Sequence, residues 1–140
     1  MEPRISVITL GVADVPRARD FYRALGWPLS GVPEDRVAFF RSAGSKLALY
    51  ALDGIAEEAG QTPAPPGSIR MTLAMNVERR ELVDAALDEA VRAGGTLLQP
   101  AQERFWGGYS GYFADLDGHA WEVAHNPYWP IGEDGLPELP

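Results

Sequence analysis

The sequence predicts an α+β fold built from two βαβββ modules that face each other across a cleft. Three observations carry that prediction. The order strand, helix, three strands occurs twice along the 140 residues. A stretch rich in proline, glycine and alanine, 54–67, separates the two occurrences. The ends of the two runs also align: Phe40-Arg41-Ser42-Ala43-Gly44-Ser45-Lys46-Leu47-Ala48-Leu49 lies against Phe113-Ala114-Asp115-Leu116-Asp117-Gly118-His119-Ala120-Trp121-Glu122-Val123, with one extra residue in the second turn. Internal repetition of this kind indicates duplicated modules related by a pseudo-twofold axis. Each module alone leaves one sheet face uncovered, and two facing sheets bury part of that surface and leave a cleft between them. The modules fall at 4–53 and 68–125 within one domain spanning 1–140, with 54–67 as linker and 126–140 as a proline-rich tail.

Each element has a local reason. Arg4 to Val12 carries β-branched and apolar residues and reads as the first strand. Asp14 is a helix N-cap with Pro16 in the first turn, where its missing N–H costs little. Val15, Ala18, Phe21, Tyr22 and Leu25 recur at helical spacing until Gly26 stops the helix. Strand-like runs follow at Trp27–Val32, Arg36–Phe40 and Lys46–Leu52, punctuated by Gly31-Val32-Pro33 and Ala43-Gly44-Ser45. The linker has one helical turn at its start. Ile69 to Val77 then repeats the first strand, and Leu82, Val83, Ala86, Leu87, Ala90 and Val91 form the apolar stripe of a second helix ended by Gly94-Gly95. Thr96–Gln99 and neighbouring residues begin a further strand, and strands at Tyr109–Asp115 and His119–Ala124 complete the second module.

Composition removes several function classes. The chain has no cysteine, which excludes disulfides, thiolate metal sites and cysteine nucleophiles. A net charge of −8 and the lack of a basic stripe argue against nucleic acid as partner. No apolar run reaches the length of a bilayer span, and the first residues lack the apolar core of a signal peptide, so the expectation is a cytoplasmic protein without a membrane partner.

The hairpin Tyr112–Val123 is the most informative stretch. Asp115-Leu116-Asp117-Gly118 is a tight turn: carboxylates bond local backbone N–H groups, and glycine tolerates a positive φ. Behind it, Glu122 stands between Trp121 and Val123. Strand parity puts Ala120, Glu122 and Ala124 on one face, and His119, Trp121, Val123 and His125 on the other. The Trp/Val face suits packing on a helix, which leaves Glu122 toward the cleft. The same parity sends both histidines away from Glu122, so a facial metal triad is not expected. His119 is read as bonding local backbone, and His125 as capping or anchoring the tail. Asp115 and Asp117 lack a twelve-residue calcium loop. Gly107-Gly108 and Gly111 lack the following helix of a phosphate cradle.

The element order and three local signatures resemble the vicinal oxygen chelate superfamily, which includes glyoxalase I, extradiol dioxygenases and bleomycin-resistance proteins. The signatures are Val12-Ala13-Asp14-Val15-Pro16-Arg17-Ala18-Arg19-Asp20-Phe21-Tyr22-Arg23-Ala24-Leu25-Gly26, the turn Trp106-Gly107-Gly108, and Asp115-Leu116-Asp117-Gly118-His119-Ala120-Trp121-Glu122. The resemblance implies paired βαβββ modules and, in the family's enzymes, one divalent metal held from the first and last strands of each module. Carried onto this chain, those positions fall near Val7, Ala48, Thr72 and Glu122. Val7 and Ala48 have no donor atom, and a threonine hydroxyl is a poor ligand for zinc or iron. The expectation is therefore no cofactor and no metal, with Glu122 as a residual ligand position.

Three readings stay open, the third being a regulatory or purely structural partner protein, to which only the tail aromatics point. The first is a binding protein that holds a small organic molecule without a metal, as the bleomycin-resistance branch does, with Thr72, Trp106, Tyr109, Tyr112 and Glu122 as ligand-binding residues. The second is a lyase, isomerase or dioxygenase-like enzyme with Glu122 as catalytic base or residual metal ligand, oriented by Thr72 or a tyrosine. Arg41, Lys46, Arg70 and Arg104 are read as solvated charges able to pair with an anionic ligand. Phe105 adds to the aromatic density of the glycine-rich hairpin. The rings of Asn126-Pro127-Tyr128-Trp129-Pro130-Ile131 require a cover, either this chain's cleft or a second subunit, and a homodimer is the expected assembly.

Overall fold

The computed structural model describes residues 5–31, 34–65, 68 and 71–139. The expected starts of the two first strands (Arg4, and Ile69 with the cation Arg70), the turn residues Val32-Pro33 and the linker's Pro66-Gly67 lie outside them. The chain divides into two compact units, Met1–Pro66 and Gly67–Pro140. Among the described residues, no helix is long and apolar enough to cross a membrane.

The first unit runs β1 (Val7–Val12), α1 (Val15–Ala24), β2 (Leu29–Ser30), β3 (Val37–Phe40), β4 (Lys46–Ala51) and α2 (Leu52–Ala59). The second runs β5 (Leu73–Asn76), α3 (Arg80–Arg92), β6 (Thr96–Glu103), β7 (Tyr109–Ala114) and β8 (Ala120–His125). The sheets have orders β1-β4-β3-β2 and β5-β8-β7-β6. In each, the strand before the helix pairs in parallel with the last strand, and the other pairings are antiparallel. The repeated βαβββ order read from the sequence is the order of the folded chain.

In the first unit, Asp14 caps α1 by accepting the Arg17 N–H at 2.9 Å. Gly26, at φ 81°, carries the chain out of the helix while its N–H and that of Trp27 satisfy the Arg23 and Tyr22 carbonyls. Val15, Ala18, Phe21 and Tyr22 are buried, as are Leu10, Val12, Phe40, Leu47 and Leu49 of the sheet, and the Tyr22 and Phe40 ring centroids lie 5.8 Å apart. Tyr22 packs edge-on to Phe21 and Trp27.

Three expectations are corrected and one is extended. The linker opens with the two-turn helix α2, because Leu52 and Ile55 pack on Gly11, where a Cβ would stand 2.6 Å from Leu52 Cδ1. β2 is only two residues long, because Gly31 at φ 77° turns the chain away. β6 runs past Pro100 to Glu103, because register shifts on both sides of Gln99 absorb a residue with no N–H to donate. The buried stripe of α3 is narrower than its apolar spacing, with Val83, Leu87 and Ala90 buried and Val91 exposed.

Candidate functional site

Glu122 lies at the centre of β8, paired in register with Ala74 of β5 on one side and Tyr112 of β7 on the other. Residues opposite one another in a sheet share a face. α3 covers the other face, that of Gly111, Phe113, Trp121 and Val123: a Cβ on Gly111 would stand 2.5 Å from Leu87 Cδ1. Phe113 and Trp121 stack with ring centroids 6.1 Å apart. Glu122 therefore points away from the helix, as its strand parity predicts, among Ser110, Ala74, Ala120 and Ala124.

A polar array accompanies it. Ser110 is fully buried, and its Oγ accepts the Arg104 Nε–H at 2.9 Å. Its carbonyl accepts Arg104 Nη2–H, also at 2.9 Å. The guanidinium thus pinned lies over the Tyr112 ring, 5.7 Å from its centroid. The Tyr112 hydroxyl is held above the ordinary phenol range, first by burial and next by the Glu122 charge, with Arg104 partly offsetting both. Glu122 is half-buried, and among the described residues it has no ion-pair partner.

The other expected site residues are placed as follows. Thr72 stands two residues before Ala74, exposed and just outside β5. Tyr109 is not on the Glu122 face: its hydroxyl donates to Asp84 of α3 at 3.1 Å, with the Arg80 guanidinium 5.5 Å from its ring centroid. Tyr109 lies two positions before Gly111, and strand alternation returns it to the helix side. Trp106 sits in the β6–β7 turn with its ring on Gly108, where any Cβ would fall inside the indole. Tyr128 of the tail approaches the same turn at Gly107 but remains exposed, as does Phe105. The sequence offers Arg104 as a solvated charge able to pair with an anionic ligand and does not single out Ser110. A serine two residues before a tyrosine on one strand face was the available signal.

Asp115 and His119 belong to the turn. Asp115 is buried, and its Oδ1 accepts the N–H groups of Asp117 and His119 at 3.0 and 2.9 Å. Its Oδ2 stands 2.8 Å from His119 Nδ1, so that ring pairs with a carboxylate rather than with backbone alone. His125 Nδ1 lies 3.3 Å from the Val77 carbonyl at the strand end. The bond to Asp115, opposed by burial, raises the His119 pKa above the ordinary histidine value. A raised folded-state pKa contributes stability that is complete below the unfolded-state value near 6.5 and is lost as pH rises through the folded-state value. His119→Gln should remove this pH-dependent contribution. Denaturant midpoints from pH 5 to 9 that keep the same pH difference in variant and parent would disprove it.

The donor set does not fit a divalent transition metal. Val7 is on the same face of β1 as Thr9, which pairs with Ala48. Neither Val7 nor Ala48 offers a donor. In the second unit Glu122 is the one carboxylate at the corresponding positions, and among the described residues no three His, Asp or Glu side chains group as metal ligands. A hollow of about 470 Å³ at the ends of β1 and β4 is lined by Asp14, Asp35, Arg36 and Asp53. Its arginine is already paired with Asp53 at 2.9 Å, and Asp14 is occupied as the α1 cap.

A family model of the Glyoxalase/Bleomycin resistance protein/Dioxygenase superfamily matches residues 4–123. The chain belongs to this superfamily. Within the superfamily's solved structures, a glyoxalase-related enzyme from Fulvimarina pelagi is 38% identical, with a TM-score of 0.89 and coverage of 99% of both chains. A glyoxalase/bleomycin resistance protein/dioxygenase from Nocardioides is 24% identical (TM-score 0.75, covering 100% of this chain and 91% of that one). Lactoylglutathione lyase from Agrobacterium tumefaciens is 19% identical (TM-score 0.70, covering 92% and 98%). These last two similarities concern the glyoxalase-superfamily fold and not the chemistry. No curated protein matched the sequence.

Proposed function

We propose that this glyoxalase-superfamily protein binds a small organic molecule on the Glu122 face of its second sheet, without a protein-held metal. The observation that carries the reading is Glu122 itself: a half-buried carboxylate without an ion-pair partner among the described residues, at a position whose three counterparts, Val7, Ala48 and Thr72, cannot complete a metal site. Ionised, it accepts hydrogen bonds and donates none, so it selects a ligand with a hydroxyl or amine. The alanines around it admit the ligand's apolar part. Metal analysis after incubation with zinc, manganese or iron and desalting should find far less than one equivalent. One retained equivalent would overturn the metal-free reading.

A second reading makes Glu122 a general base in lyase or isomerase chemistry. It draws support from the 38% identical relative, which is described as an enzyme, and from the Tyr112 hydroxyl beside the carboxylate. Glu122→Gln separates the two. Under the binding reading the variant weakens capture of a hydroxyl-bearing ligand by about tenfold, the scale of one charge-assisted hydrogen bond. Under the catalytic reading it loses turnover and keeps binding. A cytoplasmic homodimer completes the proposal, supported by the exposed rings of Phe105 and Tyr128. A monomer mass by sedimentation equilibrium would remove it.

A further inference from the structure

Arg104 is a half-buried cation held in one orientation, and its hydrogen bonds leave a defined part of it unused. Nε and Nη2 form one edge of the guanidinium, and that edge is spent on Ser110 Oγ and the Ser110 carbonyl. Among the described residues no acceptor meets Nη1. The end-on edge, one N–H each from Nη1 and Nη2, is the fork whose spacing matches the two oxygens of a carboxylate. Ser110 is fully buried, so the pin is rigid, and less rotamer entropy is lost when a ligand binds.

The second half of the argument is the placement of Glu122. Arg104 lies over the Tyr112 ring, and Glu122 stands opposite Tyr112 in the β7–β8 register, yet arginine and glutamate are not paired with each other. Two opposite charges flanking one tyrosine without contact leave a site with an anion receptor at one end and a hydrogen-bond acceptor at the other. We infer that the ligand of this face is a small organic acid, its carboxylate on the free edge of Arg104 and a hydroxyl or amine of the same molecule on Glu122. The inference rests on the small-molecule reading above and adds its ligand class. The net charge of −8 opposes an acid at long range, but that field is screened within about 10 Å at 0.1 M salt, whereas a charge-assisted fork acts at contact.

Three compounds test this on the full chain by calorimetric titration: 3-phenyllactate, its methyl ester, and 3-phenylpropionate, which lacks the hydroxyl. Phenyllactate should bind at least about tenfold tighter than either of the others, since the ester loses the charged fork on Arg104 and phenylpropionate loses the bond to Glu122. In Arg104→Gln the preference for acid over ester should fall to near one. Ser110→Ala, which removes the Nε bond and keeps the carbonyl bond to Nη2, should reduce that preference partway. The comparison of acid with ester in the unaltered protein stands even where a variant fails to fold. Equal binding of acid and ester overturns the ligand class and leaves the small-molecule reading intact. No binding of any of the three at millimolar concentration overturns the ligand class and counts against the small-molecule reading as well.

Discussion

Asp115→Ala should lower the unfolding free energy by about 3 kcal/mol, the scale of losing charge-assisted bonds and leaving buried donors unmet. One carboxylate closes the β7–β8 turn. Its Oδ1 takes two backbone N–H groups, those of Asp117 and His119, and its Oδ2 takes the His119 ring. The Asp115 side chain is 1% exposed, so water does not replace it without local opening. Asp115→Asn keeps a carbonyl oxygen for the two backbone donors but presents no charge to His119, and it should recover part of the loss. Denaturant unfolding with unchanged m-values reads both. A change in Asp115→Ala below about 1 kcal/mol, the worth of a single neutral hydrogen bond, would mean that the turn is closed by its Gly118 backbone geometry and not by the carboxylate.

Gly111→Ala should cost ~3 kcal/mol, the upper range for forcing an added methyl into a packed interior. This glycine is required by proximity. A Cβ there would meet the Ala101 nitrogen at 2.8 Å, the Gln99 carbonyl oxygen at 2.9 Å and Leu87 Cδ1 at 2.5 Å. The Leu87 methyl can rotate away, but the two backbone atoms belong to the shifted stretch of β6 and cannot move without breaking its pairing with β7. Most of the penalty should therefore persist when Gly111→Ala is made in a Leu87→Ala background. Its disappearance there would place the clash on the helix alone.

Gly111 also shows where legibility ended. The sequence marked it as one of several hairpin glycines, but nothing local states that a helix side chain and a bulged neighbouring strand crowd the same α-carbon. Tyr109 and Tyr112 show the same limit. Both are tyrosines on one short strand, and the sequence offers both as ligand-binding residues. Odd spacing divides them, so Tyr109 meets Asp84 on α3 while Tyr112 stands with Glu122. Alternation along β7 contained that division. It became readable once Gly111 was placed against α3.

By itself the sequence determined the repeated element order, the caps of α1, the Asp-x-Asp-Gly turn and the face to which Glu122 points. These follow from interactions within a few residues: Asp14 with Arg17, Asp115 with His119, and the two-residue period of a strand. Only the tertiary structure decided that 52–59 folds as a helix over Gly11, that Arg104 is pinned to buried Ser110, and that its charge stands apart from that of Glu122. The physical reason is range. Propensity and periodicity act along the chain, whereas the burial that turns a surface arginine into an oriented receptor is set by strands brought together through backbone pairing.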